Sequence, residues 1–112
     1  MAKPFDETGF SEEHRNDEVC NQLTRFLRPA VEAHCGTKFE FFKCARYVKQ
    51  DIYGTNYKIK VATGNNFLHL HAYKPPNRPA QLNLVENNRT SADPLNEPFP
   101  LSGLARTYKM KS

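Results

Sequence analysis

Three cysteines and four histidines have the widest chemical reach in this 112-residue chain: Cys20, Cys35 and Cys44, with His14, His34, His69 and His71. A nucleophilic thiol needs a paired base and a setting that lowers its pKa. Cys20 lies beside a helical apolar stripe and Cys44 in a strand pattern, so both read as small hydrophobic packers. Cys35 follows His34 directly, and adjacent residues on a helix do not face each other. His69 and His71 share one strand face at a spacing that suits a metal. No third ligand follows at a recognisable spacing, and Cys-x-x-Cys is absent. Gly54 lacks the companion glycines of a phosphate loop, and Glu12-Glu13 suits a helix start better than an acid–base pair. These residues predict a protein that is not an enzyme and requires no metal or cofactor.

Composition narrows the class further. Apolar residues at 38% and charged residues at 25% are globular proportions. No apolar run approaches the ~20 residues of a membrane span. The opening MAKPFDETGF has no apolar core of a secretory signal, which predicts a cytoplasmic location. The odd, unclustered cysteines agree with a reducing compartment and free thiols. Net charge is +4, part of it from Arg106, Lys109 and Lys111 near the end. That excess suits an acidic protein or RNA phosphates. A solubilising surface explains it at least as well, so nucleic acid is not the expected partner.

Periodicity supplies the elements. Ser11 to Cys35 reads as a helix, with Val19, Leu23, Phe26, Leu27, Ala30 and Val31 on one stripe. Ser11 is the expected N-cap, Gly36 the stop, and Pro29 the site of a kink. Phe39 to Lys49 reads as a strand with a bulge at Phe41-Phe42. Tyr57, Ile59 and Val61 alternate with Lys58 and Lys60, and Thr63-Gly64-Asn65-Asn66 turns the chain. Leu68, Leu70 and Ala72 then face inward, with His69 and His71 expected in solvent. Pro75 to Pro79 ends that strand, Leu82 to Val85 forms a shorter one, and Leu95 and Phe99 return to the core. The pattern predicts an α+β domain over residues 1–99, one long helix wrapped by a four- to five-stranded antiparallel sheet. Residues 100–112 read as a flexible tail.

The run QDIYGTNY, Gln50 to Tyr57, resembles the first inhibitory loop of the stefins, the type 1 cystatins. Gln50, Gly54, Thr55, Asn56 and Tyr57 match the stefin pattern, and Ile52 replaces its valine. GTNYKIKVATGNNFLHL continues the likeness, and the spacing back to the helix brings Gly9 onto the family's N-terminal trunk. The resemblance covers roughly residues 5–99. It implies a cystatin-like fold and reversible, tight-binding inhibition of papain-like, cathepsin-type cysteine proteases. The cleft would be blocked by Gly9, by Gln50, Asp51, Ile52, Tyr53 and Gly54, and by a second hairpin at Pro75 and Pro76. It also implies a monomer that can exchange a helix–strand unit at the first hairpin into a dimer.

Three positions depart from the stefin pattern. Asp51 places an acid in an apolar loop, Tyr53 stands where the residue is small, and the double proline replaces a buried leucine. Each departure is worth one to a few kcal/mol in affinity, at ~1.4 kcal/mol per tenfold. The alternative reading is a stefin-fold module with a degenerate wedge that binds another protein or RNA.

Overall fold

A computed structural model describes residues 9–95. Glu18–Cys35 form the single helix, α1. Its N-cap is Asp17, whose extended backbone lets a carboxylate oxygen accept the Cys20 N–H at 3.0 Å. That bond is the main reason the Asp17 carboxyl lies below its ordinary pKa. Gly36 takes the left-handed conformation, φ 69°, and returns its N–H to the Glu32 carbonyl. The expected stop is therefore correct, and the expected N-cap at Ser11 is not. Residues 11–16 are not helical, and His14–Arg15 make a short strand, β1. Helical spacing alone could not separate the six residues before Asp17 from the helix, because Glu12 and Glu13 also suit a first turn.

The helix continues through Pro29 to Cys35. Its buried stripe is Cys20, Thr24, Leu27 and Val31, with Leu23 at its edge. Val19, Phe26 and Ala30 lie outside it, contrary to expectation. A stripe that accepts Cys20 and Thr24 is rotated around the helix relative to one chosen by hydrophobicity. The displaced Val19 and Phe26 instead line a hollow of about 280 Å³ with Leu23, Tyr57, Pro79 and Ala80.

Four longer strands follow: β2 (Lys43–Ile52), β3 (Gly54–Ala62), β4 (Phe67–Lys74) and β5 (Gln81–Arg89). With β1 they form one antiparallel sheet in the order β1-β2-β3-β4-β5, each strand beside its neighbour in sequence. The α+β fold with one helix on a five-stranded sheet is as expected. Its second strand runs later than the expected Phe39 to Lys49. Its irregularity falls between Cys44 and Arg46, not at Phe41-Phe42. Phe39 and Phe42 pack on the core edge and against each other, so aromatic content imitated a strand in what is a connecting segment. The expected return at Phe99 and the tail 100–112 lie outside the described residues.

One sheet face meets the helix. Tyr47, Ile59, Val61, Leu68, Leu70, Ala72 and Val85 join Leu27 and Val31 in the main core. Each such aliphatic side chain taken from water contributes roughly 1.5–3 kcal/mol. Cys20 and Cys44 meet here as a disulfide across 6.1 Å between Cα atoms. The expectation of separate free thiols is thus overturned for this pair. A separation of 24 residues carries no pairing signal until α1 lies over β2.

The opposite face holds Lys58, Lys60, His69 and His71, and all four are buried. Alternation put them on the correct face but wrongly in water. Phe10, Val48 and Leu95 form a second apolar cluster, so segments before α1 and after β5 return to this face. Glu86 supplies the two histidines with an acidic neighbour. Glu86 lies 3.5 Å from His69 Nδ1, 3.4 Å from His71 Nε2 and 3.3 Å from an Arg89 nitrogen. These neighbours, His69 foremost, hold the Glu86 carboxyl far below the ordinary carboxylate range. Burial pushes His71 below its ordinary 6.5, against a smaller opposing pull from Glu86. Burial likewise pushes Lys60 below its ordinary 10.5.

Two predictions follow from these contacts. Reduction of Cys20–Cys44, or Cys44→Ser, should lower stability by about 3.5 kcal/mol, the loop-closure value for a loop of this length. Urea unfolding with and without reductant measures it. Acid should also destabilise the fold in two stages. A depressed His71 pKa means that the unfolded chain binds the proton more readily as pH falls through about 6.5, so stability drops there. The Glu86 contribution is complete above about pH 4.5 and is lost as pH falls below it. Glu86→Gln should flatten the lower limb, which thermal melts from pH 7 to pH 3 would reveal.

Candidate functional site

The end of the sheet where β2 turns into β3 gathers the residues singled out by the sequence. The β2–β3 hairpin pairs Gln50 with Asn56, Asp51 with Thr55 and Ile52 with Gly54, leaving Tyr53 alone at the tip. Side chains reinforce two of these pairs. Asn56 Nδ2 donates to Gln50 Oε1 at 3.1 Å, and Thr55 Oγ1 donates to Asp51 Oδ1 at 3.0 Å. Asp51 thereby restrains the loop that its charge departs from. Cross-strand pairs of this kind contribute roughly 0.2–1 kcal/mol each.

Gly54 sets how the tip sits. Its φ is +92°, and a Cβ there would come within 2.6 Å of the Lys74 carbonyl and of the Tyr73 hydroxyl. Only a residue without a side chain allows β4 to approach so closely in that conformation. Tyr73 Oη donates to the Tyr53 carbonyl, so the backbone of the tip is held from below. The Tyr53 side chain is left 81% exposed and that of Ile52 63%. Two large apolar side chains in water beside each other, on a braced turn, are what a docking surface presents.

The β4–β5 connection begins beside this tip, since Thr55 pairs with Lys74. Lys74 Nζ donates to the Pro75 carbonyl, and Arg78 N–H reaches the same oxygen at 3.4 Å. Pro76 occupies the second position of that turn, where proline's fixed φ fits, and Asn77 takes φ +59° at the third. Pro75 is half-buried and Pro76 exposed. The double proline is thus the rigid shoulder of the second hairpin.

The segment before β1 completes the group. Gly9 has φ +85°, and a Cβ on it would stand 2.5 Å from Gln50 Nε2. Ser11 fastens the segment by two bonds to β2. Its N–H donates to the Lys49 carbonyl at 2.8 Å, and its Oγ accepts the Lys49 N–H at 3.2 Å. Phe10 between them is buried against Val48 and Leu95, with Lys58 Nζ 4.8 Å from its ring centre.

Gly9, Gln50, Asp51, Ile52, Tyr53, Gly54, Pro75 and Pro76 therefore come together at one end of the sheet, Gly9 beside Gln50 and Gly54 beside Lys74, the residue before Pro75. Of the residues that hold this group, Tyr73 and Lys74 carry no signal in the sequence, and Ser11, expected as a helix N-cap, instead bonds to Lys49. Only the register places Tyr73 across from Asn56, one residue short of the loop. The chemistry weighed for thiols does not fit: burial pushes the Cys35 thiol up, opposite to a nucleophile's need. Among the described residues no group of three or more His, Cys, Asp or Glu side chains is arranged to hold a metal ion. None of their helices is long and apolar enough to cross a membrane.

No family model matches the chain. Individual proteins do. Cystatin-A2 of Dictyostelium discoideum is 31% identical over 85 residues, covering 76% of this chain and 90% of that protein. Cystatin-B of Homo sapiens is 33% identical over 73 residues, 62% of this chain and 74% of the relative. Cystatin-B of Paralichthys olivaceus is 37% identical over 59 residues, 52% and 60% of the two chains.

The close approach at Gly54 makes its own prediction. Gly54→Ala should cost about 1–3 kcal/mol through backbone strain, as at any positive-φ glycine, and more through the clash of its Cβ with Tyr73 and Lys74. Gly64→Ala, where a Cβ would meet nothing within 4 Å, shares the positive φ and is the control for contact alone. The difference between the two melting temperatures isolates the Tyr73–Lys74 contact.

Proposed function

The chain belongs to the stefin (type 1 cystatin) family of cysteine protease inhibitors, and from that premise we propose that it inhibits papain-like, cathepsin-type enzymes reversibly by filling their active-site cleft. The observation that supports this reading is the contact of Gly9 with Gln50 and of Gly54 with Tyr73 and Lys74. Those contacts join three separate chain segments into one ridge. A ridge whose groups are already held in shape loses little ordering entropy when it enters a groove. Inhibition of this kind needs no covalent step and no cofactor.

Each element has a part in the proposal. Gly9 leads the trunk past Gln50 without a side chain, so the backbone can lie flat in the cleft. Gln50 offers an amide with both donors and acceptors. Ile52 and Tyr53 supply the exposed apolar surface at the tip, and tyrosine is favoured as an interface anchor. Asp51 is engaged by Thr55, which reduces the penalty of bringing an acid to the protease. Pro75 and Pro76 form a preset second shoulder in place of a flexible leucine. The proposed setting is the cytoplasm.

Titration of papain and a panel of endo- and exopeptidase cathepsins with the purified protein tests the proposal. The expected result is reversible inhibition without covalent adduct, abolished or strongly weakened in Gly9→Arg, whose side chain would collide with Gln50. No inhibition of any of these enzymes at high micromolar concentration would remove the reading. Unchanged affinity in Gly9→Arg would remove the trunk from it.

A further inference from the structure

Lys60 is the largest fully buried side chain among the described residues, with no exposed surface. Its ammonium donates to three backbone carbonyls of one turn: Thr90 at 3.0 Å, Ser91 at 2.8 Å and Asp93 at 2.5 Å. The turn is closed on itself as well. Thr90 N–H donates to Asp93 Oδ2, and Asp93 N–H to the Thr90 carbonyl. Arg46 on β2 adds a bond to the Ser91 carbonyl. Burying an ammonium requires that its donors be matched, and three carbonyls match all three.

The gripped turn leads, two residues later, to Leu95. Leu95 is 1% exposed and packs with Phe10 and Val48, away from the helix-side core. Phe10 in turn stands between Gly9, which lies on Gln50, and Ser11, which is bonded to Lys49. A physical chain thus runs from Lys60 through the turn and Leu95 to Phe10. None of its links belongs to the α1 core.

We propose that Lys60 is a positioning residue for the N-terminal trunk: by gripping the carbonyls of Thr90, Ser91 and Asp93 it seats Leu95 against Phe10 and so fixes Gly9 on Gln50. Its effect on affinity rests on the protease-inhibitor reading, while its effect on the trunk does not. Lys60→Met keeps the length and apolar stem of the side chain but removes the group that ties all three carbonyls to β3; the Thr90 carbonyl keeps only the Asp93 N–H within the turn, and the Ser91 carbonyl only the Arg46 bond. The turn is then released to water, and Leu95 goes with it.

The test is a mutant cycle of Lys60→Met and Phe10→Ala in the full chain, read by papain affinity and by hydrogen exchange at the Ser11 amide. Each single change should weaken binding by about tenfold, and the double change should be no weaker than the weaker single, as for two links of one chain. Ser11 should exchange faster in Lys60→Met while the amides of α1 near Leu27 and Val31 keep their protection. Losses that add, or Ser11 exchange that stays as in the parent, would overturn the proposal. Should Lys60→Met not fold, Leu95→Ala breaks the same chain with Lys60 in place, and the same two readouts decide. Lack of inhibition by the parent protein would end the protease reading, yet Ser11 exchange would still report whether Lys60 holds the trunk.

Discussion

A sheet covered on both faces leaves the lysines of β3 and the histidines of β4 no water to point into. An antiparallel sheet commonly keeps one face wet, and alternating apolar and basic residues normally mark it. Here Lys60 and His69 are cross-strand partners, flanked by Arg46 on β2 and Glu86 on β5. Such a row can be buried only if its charges find partners, because an unmatched buried charge costs several kcal/mol. Glu86 lies beside the histidines and Arg89, and the carbonyls of Thr90, Ser91 and Asp93 accept from Lys60. The need to match these groups therefore determines where the chain goes after β5.

That route has a consequence at the far end of the sheet. The segment returning over the outer face meets the segment entering before β1, and Phe10, Val48 and Leu95 close the gap between them. Phe10 is thereby anchored one residue from Gly9. The groups at that end of the sheet are then held at three places: by a backbone and a hydroxyl bond at Ser11, by the approach of Gly9 to Gln50, and by that of Gly54 to Lys74. Loss of one support still leaves the others. The exposed groups at the tip, Ile52 and Tyr53, contribute almost nothing to this framework and are free to serve an interface.

Much of this was legible in the residues. The α+β class, Gly36 as helix stop, the Gly64 turn and the burial of Leu95 all follow from local rules that the tertiary structure obeys. The stefin likeness rested on Gln50, Gly54 and the three residues after it, and the identities to the cystatins agree. What escaped was set by partners distant in sequence. His69 and His71 obey period-two alternation perfectly, yet alternation reports a face and not what lies over it. Ser11 has the chemistry of an N-cap, but its hydroxyl serves Lys49, 38 residues away. Cys20 and Cys44 gave no sign of pairing, since neither spacing nor an even count pointed to it. Tyr73 became meaningful only when the register set it beneath Tyr53.

The two faces of the sheet also divide the chain's tolerance to change. The helix side is aliphatic, and its contacts are many and individually replaceable, so a methylene lost there reduces stability in proportion. The outer face is built from a few directional contacts among charged groups, where removing one partner strands the other. A substitution on the first face should thus alter how long the fold survives, and one on the second should alter where the trunk sits. Asp51, Tyr53, Pro75 and Pro76 stand apart from the helix-side core. Their bonds run to Thr55, Tyr73, Lys74 and Arg78, within the two hairpins, so a change there is felt locally.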